Sequence, residues 1–258
     1  MTTSRKKMTT PRKRQHNRFA NYQQSVFVNC PFDTAYTPIF RSLVFTVIRC
    51  GFRARCALEI DDGSQVRIEK IFSIIEECRF GIHDLSRTEL DKKTKLPRFN
   101  MPLELGMFLG IKRAGDLVQK SKVCLVFDRD RYRYQAFVSD IAGQDIRAHG
   151  LDEAVVVSLT RNWLRSWSPT SLPGGREILR QYRRFAARLP ILCRRLKLDP
   201  SEMTYNDFIG ITIEWLTVEL SESIVENRGE PVRVQGMRSK KGKSRRTAGR
   251  HRTGIHIA

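Results

Sequence analysis

Four short apolar segments, each leading into a stretch of helical spacing or a polar loop before a helix, constrain this chain more than any other feature. The first is Ser25–Cys30, rich in β-branched and aromatic residues. Phe52–Leu58, Arg79–Leu85 and Lys122–Asp128 are the others. Their length and composition read as strands. Between them apolar residues recur with a helical period. Ile39, Leu43 and Val47, with Phe40 and Val44, mark a helix over 36–50. Ile68, Ile71, Phe72 and Ile75 mark one over 66–78. A third runs over 100–112, with Asn100 as its expected N-cap and Pro102 in its first turn. Gly51 is placed to stop the first helix.

Strands that are apolar along their whole length must be covered on both faces, and strand–helix alternation implies parallel pairing. The expected fold class is therefore α/β, a flavodoxin-like parallel sheet with helices on both faces. Beyond residue 145 the pattern is helical only, over 153–167, 175–189 and 204–227, with Pro169, Pro173 and Pro190 at the joins. Thr204 and Asp207 have the spacing of a capping box. The expected organisation is a basic disordered tail over 1–20, the sheet domain over 21–147, a C-terminal helical appendage over 148–227, and a second basic disordered tail over 228–258.

Charge follows this division. The formal net charge of the 258 residues is +20. Residues 1–20 contribute +7, residues 228–258 contribute +9, and the body between them only +4. Attraction to nucleic acid is thus expected through the tails and without sequence preference. No apolar run approaches the ~18 residues of a membrane span, and no apolar segment follows the basic N-terminus as in a secretory signal. The expected location is cytoplasmic, with no membrane partner. The six cysteines form no C-x-x-C pair and read as reduced, mostly buried thiols, and no metal site is expected.

In open parallel sheets ligands bind at the carboxyl ends of the strands. Three polar segments should gather there: Asn29, Cys30, Pro31, Phe32 and Asp33 after the first strand; His83, Asp84, Ser86 and Arg87 at the third; Arg98 and Asn100 before the next helix. Glu104, in the first turns of that helix among Leu103, Leu105 and Met107, is the most informative residue. It either complements the helix N-terminus or faces the crevice, able to hold a ribose hydroxyl or stabilise positive charge at a sugar C1′.

Pro97–Gly110 resembles the R-x-N-(V/M)-x-x-E-x-G-x-x-x-G signature of bacterial TIR-like nucleotide-binding proteins. It is also similar to the P-x-E-x-G-x-A-type helix start of nucleoside 2-deoxyribosyltransferases, whose strand-plus-(G/C)-P-F loop resembles Val26–Phe32. The resemblance covers roughly 25–130. It implies a nucleotide-binding enzyme that cleaves or transfers an N-glycosidic bond, either NAD glycohydrolase-like or deoxyribosyltransferase-like, in the setting of bacterial defence. Carried over by position, Glu104 takes the place of the catalytic glutamate and Asp84 that of an acid after the strand. Asn29 to Asp33, His83, Ser86, Arg87, Arg98 and Asn100 then line the substrate. NAD or a related nucleotide is implied as substrate and no separate cofactor; assembly into a homo-oligomer is also implied. The helix opens with Arg98-Phe-Asn100 where the transferases have an acid-Gly-(Thr/Ser) turn, which favours a phosphate-bearing nucleotide over a free deoxynucleoside. The alternative is a noncatalytic nucleotide sensor or nucleic-acid-associated module.

Two further features keep open readings. Tyr132, Tyr134 and Phe137, interleaved with Arg129, Arg131 and Arg133, are a stacking patch, a pocket wall or a loop packed on the sheet edge. Arg180, Arg183, Arg184, Arg188, Arg194 and Arg195 line one helical face, either solvated or a nucleic-acid or partner surface.

Overall fold

The structure, a computed structural model, describes residues 19–90 and 95–229, with side chains to residue 222. Almost all of both basic tails therefore lies outside the described residues. The sheet has five strands: β1 Ser25–Asn29, β2 Arg53–Arg55, β3 Phe80–Asp84, β4 Val123–Asp128 and β5 Arg147–Ala148. Their order is β2-β1-β3-β4-β5 and every pairing is parallel. This is the flavodoxin-like order, so the expected fold class holds. The helices are α1 Thr37–Arg49, α2 Arg67–Glu76, α3 Asn100–Ala114, the single turn α4 Leu117–Lys120, α5 Glu153–Arg165, α6 Gly175–Arg195 and α7 Tyr205–Gly229.

Strand alternation decides which helix covers which residue. Val26, Val28, Phe80, Ile82, Leu125 and Phe127 point to one face. There they pack against Leu43 and Val47 of α1, Val156 and Leu164 of α5, Phe185 of α6 and Trp215 of α7. Phe45 of α1 stacks on Phe185 at 5.4 Å, which ties the C-terminal helices into the same core. On the opposite face Phe27 meets Ile71, Ile74 and Ile75 of α2 and Phe108 of α3, and Val126 meets Met101 and Leu105 of α3. By packing, the described residues up to Glu219 make one compact unit, which contains the whole sheet.

The ends of the elements follow local chemistry. Gly51 takes φ +83° after α1, a conformation open to glycine, and its amide bonds back to Ile48. The Thr204–Asp207 capping box forms, with Asp207 N–H donating to Thr204 Oγ1 at 3.2 Å and Thr204 N–H to Asp207 Oδ2 at 2.9 Å. Lys122, fully buried just before β4, donates from Nζ to the Ile75 carbonyl in the last turn of α2 and to the Cys78 carbonyl just past it. Burial lowers its pKa to about 8.

Four details depart from the sequence reading. Asn100 is the first residue of α3, not its cap; Phe99 holds the cap position and no side chain bonds there. β2 stops at Arg55 because the chain turns at once, with the Glu59 amide bonded to the Cys56 carbonyl. α6 continues through Pro190 to Arg195, since Leu189 and Cys193 on either side of the proline are both buried in the core. A fifth strand, Arg147–Ala148, closes the sheet where only a loop was expected.

Candidate functional site

Strand order reverses between β1 and β3, the switch point at which ligands of such sheets sit. Asn29 and His83 are register partners there. The Asn29 amide donates to His83 Nδ1 at 3.1 Å and to the Met101 carbonyl, in the first turn of α3, at 2.8 Å. The first bond fixes the histidine tautomer: Nδ1 accepts, so Nε2 carries the proton. That proton has no acceptor. His83 lies instead between Phe27 and Phe108, with ring centroids at 5.9 and 5.0 Å. Burial lowers its pKa to about 3, helped by the Lys122 charge, so the ring is neutral at physiological pH. Gly81 makes room for it, because a Cβ there would stand 2.6 Å from Nε2.

Glu104 lies in the second turn of α3, three residues after the Met101 whose carbonyl Asn29 holds. Only 7% of it is exposed, and its carboxylate makes no hydrogen bond with the described residues. Its charge is felt at Cys30, just past β1, and at Cys56, just past β2. Desolvation lifts its pKa to about 7, and Arg67 at the start of α2 opposes this only in part. The side chain thus stands at the carboxyl ends of β1 and β2, near the start of α2 and within its own helix's second turn.

Asp84 belongs to the other face. It is fully buried and accepts from three donors: the Tyr36 hydroxyl, His149 Nε2 at 2.9 Å and the Ser86 amide at 2.8 Å. Burial alone would raise its pKa, but the bonds from His149, Ser86 and Tyr36 outweigh burial and hold it below the usual carboxylate value. Ser86 Oγ also lies 2.9 Å from His149 Nε2. The trio looks like a nucleophilic triad but is wired differently. Serine and aspartate share one ring nitrogen, while Nδ1 accepts the Leu151 amide at 3.1 Å. A relay needs serine and acid on opposite nitrogens. With Ser86 1% exposed and the other two fully or nearly buried, the cluster clamps the loops after β1, β3 and β5 together.

The remaining expected residues form a rim. Asp33 and Arg87 join the loops after β1 and β3 through a 3.0 Å ion pair. Cys30 and Pro31 are buried, and burial raises the Cys30 thiol pKa well above its usual value. Phe32 packs edge-on against Phe40 at 5.3 Å. Arg98 and Asn100 are exposed. The structure therefore brings Asn29, His83 and Glu104 to one side of the sheet, and Asp84 and Ser86 to the other.

Two neighbouring features resolve. Arg133 is committed to Asp128 at 2.6 Å, the Leu85 carbonyl and Thr88, and its guanidinium lies 5.0 Å over Phe137. Tyr134 is buried and only Tyr132 is well exposed, so these rings make no shared stacking platform. A cavity of about 870 Å³ opens on the β2 edge, lined by Arg53, Arg55, Glu59 and Tyr205. Its Arg55 is already taken by Glu59 and Glu77, and the strand-end chemistry lies elsewhere. His149 is the site residue that sequence reasoning missed. Among the described residues no group of His, Cys, Asp and Glu is arranged to hold a metal ion, and no helix is long and apolar enough to cross a membrane.

Comparison with protein-family models, curated proteins and solved structures gives no match for this chain.

Proposed function

We propose that the protein binds a phosphate-bearing nucleotide, NAD or a relative, across the carboxyl ends of β1 and β3, and cleaves or transfers its N-glycosidic bond. The observation that carries this reading is Glu104: a nearly buried side chain whose carboxylate has no hydrogen-bond partner among the described residues, at the carboxyl ends of β1 and β2. Holding an ionised carboxylate so far out of water costs stability, and such perturbed groups cluster where they act. The resemblance of Pro97–Gly110 to TIR-like proteins and deoxyribosyltransferases supports the same residue.

In this mechanism the base leaves C1′ with the bonding electron pair. The ionised Glu104 stabilises the positive charge developing on the sugar, or captures C1′ as a glycosyl ester that water or another acceptor then opens. Asn29 holds the first turn of α3 and thereby the height of Glu104 over the cleft. Arg87 and Arg98 on the rim face the phosphates. Asp84, saturated by protein donors, keeps the loops in place.

The test is to incubate the full-length protein with NAD and a nucleoside panel and to separate base and sugar products by chromatography. Turnover should rise with pH through about 7 as Glu104 ionises. Glu104→Gln should lower it at least ~10²-fold while the protein stays folded. Undiminished turnover in Glu104→Gln would remove the assigned role. Nucleotide binding without turnover at any protein concentration would identify a sensor instead.

A further inference from the structure

α6 carries seven arginines, no lysine and one acid, Glu177. All seven arginines are exposed, because the other half of the helix is committed to the core through Ile178, Tyr182, Phe185, Leu189 and Cys193. Glu177 and Glu219 satisfy only Arg180 and Arg184. Arg176, Arg183, Arg188, Arg194 and Arg195 form no hydrogen bond or ion pair with the described residues. A merely solvated helix face usually interleaves acids at i±4, which relieves repulsion. Here like charges recur every three to four residues from Arg176 to Arg188 and return at Arg194 and Arg195, along a helix of ~30 Å and beside a shallow groove of about 560 Å³ lined by Arg176, Leu179, Arg183 and Ala187.

We propose that this face binds the phosphate backbone of duplex nucleic acid. Three features select that partner. The cations are arginines throughout, and the guanidinium fork matches phosphate oxygens better than an ammonium does. Their recurrence every three to four residues from Arg176 to Arg188 suits a partner with evenly repeated charge. The surface residues between them, Leu179, Ala186, Ala187 and Ile191, offer no aromatic ring on which unpaired bases could stack and no amide with which to read base edges, since Gln181, Tyr182 and Phe185 are buried. Binding is therefore sequence-independent, and it is a property of the folded body in addition to the tails.

The experiment titrates the full-length protein against a labelled random-sequence duplex of ~20 bp over a range of NaCl concentrations. Arg176→Glu/Arg183→Glu/Arg188→Glu is compared with Arg113→Glu/Lys120→Glu/Arg131→Glu, which changes net charge equally on other surfaces and leaves both tails intact. The α6 triple should weaken binding at least ~10-fold and flatten the log–log salt slope by about 2 to 3, as expected for three lost phosphate contacts. The control triple should change affinity less than ~3-fold. Equal losses in the two triples would overturn the proposal, since net charge or the tails would then carry binding. So would an α6 triple that loses binding to phosphatidylserine vesicles yet holds the duplex as before. Thermal melting of both triples excludes unfolding as the cause.

Discussion

Asp84 and Glu104 are both buried carboxylates at the carboxyl end of one sheet, and their surroundings are opposite. Asp84 receives three protein donors, which lower its pKa despite full burial. Glu104 receives none, and burial raises its pKa to about 7. One carboxylate is used up in holding loops; the other keeps its lone pairs free. Burial alone therefore does not set the charge state of a carboxylate at these strand ends; the count of donors does.

The largest effect expected from this contrast is on stability at Asp84. Asp84→Asn turns an acceptor of three bonds into a mixed group that clashes with at least one donor, leaving Tyr36 or His149 buried and unpaired. The expected cost is about 3 kcal/mol or more, equivalent to a Tm lower by roughly 6–12 °C for a body of this size. The wild-type contribution of Asp84 should be present above pH ~4 and fade as pH falls through its lowered pKa. A Tm within a degree or two of wild type would break the comparison, because Asp84 would then not be the clamp.

Glu104→Gln should act in the opposite direction. The folded pKa lies above the unfolded value, so the ionised carboxylate destabilises the native state fully above pH 7 and not at all below pH ~4.5. Removing the charge should raise stability at pH 8 by up to ~3 kcal/mol, and the gain should vanish by pH ~4. Denaturant melts at the two pH values measure it. A variant less stable than wild type at pH 8 would mean that Glu104 holds the fold together, and that its environment is not the strained one described.

The two carboxylates were unequally legible in the sequence. Glu104 sits within a local motif, on a helix whose apolar neighbours mark it as out of place. Asp84 was visible as the polar end of an apolar strand, but its partner His149 lies 65 residues away. Nothing near His149 signals a role, because β5 has two residues and no period can be read from two. The strands β1, β3 and β4 and their order of appearance were legible because each is a short, mostly buried and largely apolar run ending in a polar residue. Pro190 misled for a related reason: proline reads locally as a helix break, while the helix is held by core contacts at Leu189 and Cys193, on either side of it. Asn100 likewise has the composition of a cap but lies one residue inside the helix. Local chemistry predicted what the backbone does alone, and missed what distant contacts impose.

The smallest expected effect concerns the rim. Arg87 and Asp33 form a 3.0 Å pair with side chains 40% and 31% exposed, where solvent screens the attraction. Arg87→Ala should therefore cost at most ~1 kcal/mol, or a few degrees of Tm. If the pair is only structural, nothing else should change. If Arg87 meets phosphate as proposed, the KM for NAD should rise while that for an unphosphorylated nucleoside stays put, because only the former loses a charge-assisted contact. Equal changes for both substrates would return Arg87 to the rim's structure and leave Glu104, with its free lone pairs, as the site's one chemical group.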